Sequence, residues 1–160
     1  MSTPPPNRQA VNTELHVFND KLLQEAIQFE LDRGGQVFFV HNRVQDLPQL
    51  AGLIQTLVPT ARIGIAHGQL DGDKLEDVML DFINGEKDVL VATTIIETGL
   101  DVPNANTIII NHAHMFGLSD LHQMRGRVGR SNKKAFCYLL SLPLSTLTDE
   151  AHKRLSAIEE

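Results

Sequence analysis

Five short apolar runs, QVFFVH, ARIGIAH, DVLVATT, NTIIINHA and AFCYLLSL, alternate along this chain with segments whose apolar residues recur every three or four positions. That alternation constrains the fold more than any other feature. DVLVATT, NTIIINHA and AFCYLLSL are too uniformly apolar for a sheet with one face in water, so they read as central strands buried on both sides. KLLQEAIQFEL places Leu22, Leu23, Ala26, Ile27 and Leu31 on one helical face and ends at Gly34-Gly35. DLPQLAGLIQTLV carries Leu47, Leu50, Ala51, Ile54, Leu57 and Val58, with Pro48 suited to a first turn. DKLEDVMLDFI repeats the pattern through Leu75, Val78, Met79, Phe82 and Ile83, with Asp71 as the expected cap and Asn84-Gly85 as the stop. Strands alternating with amphipathic helices imply right-handed crossovers and a mainly parallel sheet covered on both sides, an α/β fold of three αβα layers. In such folds ligands meet loops at the carboxyl ends of strands. The loops after His41, His67, Thr93 and His112, and the helix leading to Arg130, are therefore expected to carry the chemistry.

The chain has 160 residues, 42% hydrophobic and 21% charged, which suits a single domain with a substantial core. Its first fourteen residues, MSTPPPNRQAVNTE, combine three prolines with polar residues and no apolar period, and read as an extended linker. One cysteine, Cys137, lies in an apolar run and reads as a small core residue; alone, it excludes an internal disulfide. No apolar run approaches the roughly 20 residues of a spanning helix, and the N-terminus lacks a signal-peptide pattern. A soluble, cytoplasmic location without membrane partners is the expectation.

A formal charge of −6 argues against DNA binding driven by overall charge. The distribution is more informative: residues 121–134 hold Arg125, Arg127, Arg130, Lys133 and Lys134 with no acid, five of the fourteen Lys and Arg. Within Gln123-Met-Arg-Gly126-Arg127-Val-Gly129-Arg130, two arginines three apart lie about one helical turn from each other and can reach the same anion. A planar, permanently charged guanidinium beside a transferring phosphoryl group stabilises charge that develops in the transition state. On spacing alone, a solvated basic helix end reads equally well.

The stretch Thr93-Thr94-Ile-Ile-Glu97-Thr98-Gly99-Leu100-Asp101-Val-Pro103 joins an apolar strand to a glycine turn. Hydroxyls and amides at a strand end can hold a phosphate without net charge, and Asp101 can accept a ribose hydroxyl. A plain strand-to-turn transition accounts for the same residues. His112 and His114 fall short of a three- or four-ligand metal site and read as loop histidines. Asp149-Glu150-Ala151-His152 spells a familiar Mg²⁺-binding box, but no hydrophobic strand precedes it. Thr148 instead reads as the N-cap of a helix with two acids in its first turn and Leu155 and Ile158 on its apolar face.

The arginine segment resembles motif VI of the superfamily 2 helicases, Q-x-x-G-R-x-G-R, matching at Gln123, Gly126, Arg127, Gly129 and Arg130. The resemblance implies that Arg127 and Arg130 are arginine fingers, that Gln123 lies at the γ-phosphate, and that Gly126 lets backbone pass close to the nucleotide. The threonine stretch resembles motif V, which implies DNA-backbone contacts from Thr93 and the adjoining Thr94, and coupling of DNA to nucleotide through Gly99 and Asp101. Thr98 departs from the RNA-handling DEAD-box branch, whose members resemble one another in carrying arginine there. QVFFVHNR resembles motif IV and IAHGQ the element beside it, which implies DNA contacts from Asn42, Arg43 and the Gly68 amide; by themselves, Asn42 also suits a helix N-cap and His67-Gly68 a simple turn.

TTIIETGLDVPNANTIIINHAHMFGLSDLHQMRGRVGRS is similar to the family of transcription-repair coupling factors, and TPPPNRQAV to their interdomain connector. LTDEAHKRLSAIEE resembles the opening of a helical coupling motif that these motors share with the fork-remodelling helicases. The implied organisation is a linker over 1–14, a second RecA-like helicase domain over 15–143, and a truncated coupling motif over 144–160. The implied activity is ATP-driven translocation on double-stranded DNA that releases stalled RNA polymerase and recruits excision-repair proteins. A P-loop needs Lys followed by Ser or Thr after a Gly-rich turn, and none of the six lysines is so followed. ATP and Mg²⁺ would then be held mainly by an N-terminal RecA-like domain of the same protein, and this chain alone would be inactive. The same domain of a fork-remodelling helicase, and a non-catalytic module whose arginines only bind phosphate, are the competing readings.

Overall fold

Val37 and Phe39 of QVFFV pack with one core cluster while Phe38 and Val40 pack with the other, which is why the run is apolar at every position. The computed structural model describes residues 11–93, 102, 104–129 and 132–159. In chain order these form β1 (Val11–Val17), α1 (Asp20–Asp32), β2 (Gln36–Val40), α2 (Leu47–Leu57), β3 (Ile63–Ala66), α3 (Gly72–Ile83), β4 (Val89–Ala92), β5 (Ala105–Ile110), α4 (Leu118–Arg125), β6 (Ala135–Ser141) and α5 (Asp149–Glu159). Among the described residues the six strands make one all-parallel sheet in the order β1-β6-β5-β2-β4-β3. The expected three-layer α/β architecture is present. No helix among the described residues is long and apolar enough to cross a membrane.

Helices α1 and α2 bury Leu23, Ala26, Ile27, Ala51 and Ile54 against Val37, Phe39, Val91 and Ile109. On the opposite face α3, α4 and α5 bring Met79, Phe82, Leu121, Met124, Leu155 and Ile158 onto Phe38, Val40, Leu90, Ile108 and Ile110. A fully buried side chain such as Phe39, Phe82 or Ile54 contributes about 1.5–3 kcal/mol relative to exposure. The helix boundaries follow local chemistry. The Asn19 side chain accepts from the Leu22 amide at 2.7 Å to start α1, and Gly34 and Gly85, at φ of 82° and 80°, take the left-handed conformation that stops α1 and α3. Thr148 Oγ1 accepts from the Ala151 amide at 3.1 Å, so DEAH is the first turn of α5, as its N-cap pattern implied. Asp71 stands at the N-cap position of α3 but makes no side-chain capping bond.

Two polar networks hold the layers in register. Glu30, fully buried on α1, accepts from Arg33 Nη2 at 2.6 Å and Nε at 2.8 Å, and from the Thr107 hydroxyl of β5. A β-carbon at Gly35 would run into that carboxylate, which accounts for glycine there. Gln36 at the start of β2 donates from Nε2 to the carbonyls of Phe82 (2.6 Å) and Lys87 (2.8 Å), tying the end of α3 to the sheet.

Two boundaries differ from the sequence expectation. β1 begins at Val11, inside the stretch assigned to a linker, and pairs with β6 from Val11↔Ala135 to Val17↔Ser141. An edge strand needs only one neighbour and one packed face, so its pattern is too weak to stand out beside the prolines. α5, assigned to a separate coupling element, fully buries Leu155 and Ile158 in the same core as α4 and β6. The Leu15 amide of β1 also donates to Glu159 Oε2 at 3.0 Å.

Candidate functional site

Parallel pairing puts the residues that follow β2, β4 and β3 side by side, because those strands are consecutive in the sheet. Asn42 and Arg43 follow β2, Thr93 follows β4 and Gly68 lies two residues past β3. Neighbouring strands are about 4.8 Å apart, so four of the residues matched to nucleic-acid motifs line one continuous stretch of the carboxyl rim. Arg43 and Gly68 are exposed, and Asn42 and Thr93 half-buried. Nothing lies within 4 Å of a β-carbon added at Gly68, so no described neighbour demands glycine there. Thr94 lies outside the described residues.

Beside this rim stands a side-chain lattice that the sequence reading did not find. His41, at the end of β2 and buried, is held at both ring nitrogens, by Asp46 Oδ2 at 2.8 Å from Nε2 and by Asn111 Nδ2 at 3.0 Å from Nδ1. His112 follows β5 in a left-handed conformation (φ 51°, ψ 44°), and its Nδ1 lies 3.1 Å from Asn42 Oδ1. Asn42 is therefore a partner of β5's end and not a helix N-cap. The His112 ring lies 4.7 Å from that of His41 and 5.6 Å from that of His114, centroid to centroid. Burial, followed by the neighbouring His41 and His114, lowers the pKa of His112, and burial followed by Arg154 lowers that of His114. The hydrogen bond from His41 lowers that of Asp46. His41, Asp46, Asn111 and His112 form the polar wall of a pocket of about 440 Å³ whose apolar side is Phe18, Leu50 and Leu53. The only sequence signal is positional: His41 and Asn111 each directly follow a parallel strand. Among the described residues no three His, Cys, Asp or Glu side chains gather as metal ligands.

The described part of the arginine segment runs from the last turn of α4 through Gly129. α4 leaves the carboxyl rim after β5 and returns across the sheet face, as a parallel crossover must, towards the start of β6. Lys133 fixes the far end of the return, its Nζ donating at 3.0 Å to the carbonyl of Arg33, just before β2. Exposed Gln123 lies in the last turn of α4, and Gly126 caps the helix, its amide donating to the His122 carbonyl at 3.0 Å. The Arg127 amide donates to Met124 at 3.1 Å, Val128 is fully buried, and Gly129 turns the chain at φ 83°.

The basic residues that sequence groups together separate here. Arg125 Nη1 donates to the Ile158 carbonyl of α5 at 2.7 Å, Lys133 is engaged as above, and Lys134 lies 5.5 Å from the centroid of Phe136. Half-buried Arg127 makes no side-chain hydrogen bond or ion pair with any described residue. Arg130, Gly99 and Asp101 lie outside the described residues.

Comparison with known proteins accords with this arrangement. The transcription-repair-coupling factor of Bacillus subtilis (strain 168) is 52% identical over 160 residues, covering all of this chain and 14% of its own length. That of Myxococcus xanthus is 46% identical over 159 residues, covering 99% of this chain and 13% of its own length. The chain therefore spans about a seventh of these relatives. Among solved structures, RecG bound to a three-way DNA junction superposes with a TM-score of 0.83 at 36% identity, covering 97% of this chain and 21% of that one. S. cerevisiae Dbp5 bound to RNA and ADP BeF3 gives 0.64 at 19% identity over 93% of this chain and 38% of that one, a likeness of fold alone. The sheet order and helical layers are those of RecA-like helicase C-terminal domains. Residues 19–132, from the start of α1 to beyond the arginine segment, match the helicase conserved C-terminal domain, and the chain belongs to that family.

Proposed function

We propose that this chain is the second motor lobe of an ATP-driven translocase on double-stranded DNA, of the kind that acts in transcription-coupled repair. The reading rests most directly on Arg127. Around it Arg125, Lys133 and Lys134 are engaged within the domain, whereas the Arg127 guanidinium has no partner among the described residues. A permanently charged fork left unpaired beside a glycine turn suits the phosphates of a nucleotide held on another lobe.

In this reading Arg127 and Arg130 stabilise the charge that develops on the γ-phosphoryl group, with Gln123 beside them and Gly99, Gly126 and Asp101 next to the nucleotide. Asn42, Arg43, Gly68, Thr93 and Thr94 grip the DNA backbone along the carboxyl rim. Closure of the two lobes brings the fingers to the phosphate and couples turnover to that grip. The residues present fit one side of a triphosphate. The sequence holds no P-loop lysine, and the described residues hold no metal-ligand cluster, so ATP and Mg²⁺ would be carried mainly by an N-terminal lobe. Release of stalled RNA polymerase and contact with excision-repair proteins would belong to the whole protein in the cytoplasm, while this chain alone would show no DNA-stimulated turnover.

The test is Arg127→Ala in the two-lobed protein. ATP turnover should fall about 10³–10⁵-fold with DNA affinity largely kept. Retained turnover with lost affinity would identify a phosphate-binding module instead. The RecG likeness favours a second reading, the corresponding lobe of a fork-remodelling helicase. Displacement of a stalled polymerase against unwinding of a branched junction, measured with one preparation, separates the two.

A further inference from the structure

His112 is, among the described residues, the one non-glycine side chain in the left-handed region. Histidine is tolerated there more readily than most residues, yet the conformation persists only where its surroundings hold it. What holds it here is the pairing of its Nδ1 with Asn42 Oδ1 at 3.1 Å and the packing of its ring between those of His41 and His114.

The neighbouring bonds have a direction. Asn111 Nδ2 donates to His41 Nδ1, so the ring proton of neutral His41 sits on Nε2 and is donated to the Asp46 carboxylate. This chain of bonds pins the turn holding Asn42 and Arg43 to the end of β5. Asn42 Oδ1 can only accept, so the contact as it stands requires the His112 tautomer that carries its proton on Nδ1. An asparagine amide is otherwise ambivalent, since a half-turn about its last bond exchanges two donors for an acceptor. With Oδ1 occupied, the Nδ2 donors remain for a ligand.

We propose that His112, protonated on Nδ1, is a positioning residue that occupies Asn42 Oδ1 and so leaves the Nδ2 donors of Asn42, beside the carboxyl rim, for an anionic oxygen, here a phosphodiester of the DNA backbone. The inference rests on the reading of Asn42 as a DNA contact. Without His112 the amide rotates freely, and one of its two orientations sets a carbonyl oxygen against the phosphate.

The experiment is a double-mutant cycle in the two-lobed protein, measuring equilibrium binding of a short DNA duplex at fixed salt for wild type, Asn42→Ala, His112→Gly and the double variant. Glycine adopts a positive φ freely, so His112→Gly removes the imidazole while keeping the backbone. Loss of one positioned hydrogen bond should weaken binding about three- to tenfold where Asn42 is present and add nothing once Asn42→Ala has removed the amide. The DNA concentration that half-saturates ATP turnover should rise by the same factor while turnover at saturating DNA stays unchanged. Equal losses with and without the Asn42 side chain, or no loss from His112→Gly, would overturn the positioning role. An Asn42→Ala variant with wild-type affinity would instead overturn the DNA contact on which that role depends.

Discussion

Arg125 donates from Nη1 to the backbone carbonyl of Ile158 at 2.7 Å, and its Nη2 lies 3.1 Å from His122 Nδ1. Two residues along, Arg127 has no such bond to any described residue. One arginine of the basic segment therefore clamps α5 onto α4, and its neighbour makes no side-chain bond to any described residue, although both lie in the same short stretch.

Arg125→Ala should destabilise the domain by about 1.5–3 kcal/mol, because it strands a helix-terminal carbonyl that accepted from a charged donor. Arg127→Ala should alter stability by no more than about 0.5 kcal/mol. Urea unfolding followed by circular dichroism distinguishes the two, and equal losses would contradict this division.

Glu30→Ala should be among the most damaging single changes. It removes a fully buried carboxylate that accepts from Arg33 and Thr107 and leaves the guanidinium unpaired beside Phe29 and Phe136, whose ring centroids are 5.2 and 5.3 Å from it. Breaking a buried pair costs about 3–5 kcal/mol, and the partial exposure of Arg33 places this case near 3. A denaturant midpoint close to wild type would show that the pair contributes little.

Cys137 should resist thiol reagents in the folded protein. Burial pushes its thiol up to about 12, with Arg125 opposing the shift only weakly. At pH 8 the thiolate fraction is then about one part in ten thousand, and the sulfur is screened within β6 between β1 and β5. Reaction with an aromatic disulfide should follow unfolding, and rapid labelling of folded protein would refute the assignment.

Acidification should weaken the domain in a window set by His112 and His114. Both have folded pKa values lowered by burial, so the unfolded chain takes up protons first as pH falls below about 6.5. Stability contributed by their neutral forms is complete above that value and declines as pH drops towards the folded ones. Asp46, whose pKa is lowered by its bond from His41, adds a loss at more acidic pH. The melting midpoint should fall between pH 7.5 and 5 in wild type and fall less in His114→Asn. A flat profile would contradict the shifts.

Local pattern made much of this legible. Uniform apolarity marked β4, β5 and β6 as strands covered on both faces, and β2 as an apolar strand, because a side chain's direction alternates along a strand whatever its neighbours are. Periodicity and capping residues likewise marked α1, α2, α3 and α5, while the motif resemblance put forward Gln123, Gly126 and Arg127 and the strand-end residues Asn42, Gly68 and Thr93 as candidates. Contacts between distant segments were not legible. β1 becomes a strand by pairing with β6, more than a hundred residues away. His41 meets Asn111, and His112 meets Asn42, each across 70 residues.

By itself, then, the sequence determined most element types and the parallel α/β class, since these depend on side-chain chemistry and short-range geometry. Only the tertiary structure decided which of the basic residues are engaged, with Arg125 on α5 and Lys133 on the Arg33 carbonyl while Arg127 has no partner among the described residues. It also decided that His112 and Asn42 work as a pair. The physical reason is that a hydrogen bond depends on which atoms crossover connections bring within about 3 Å, and no local pattern encodes that distance.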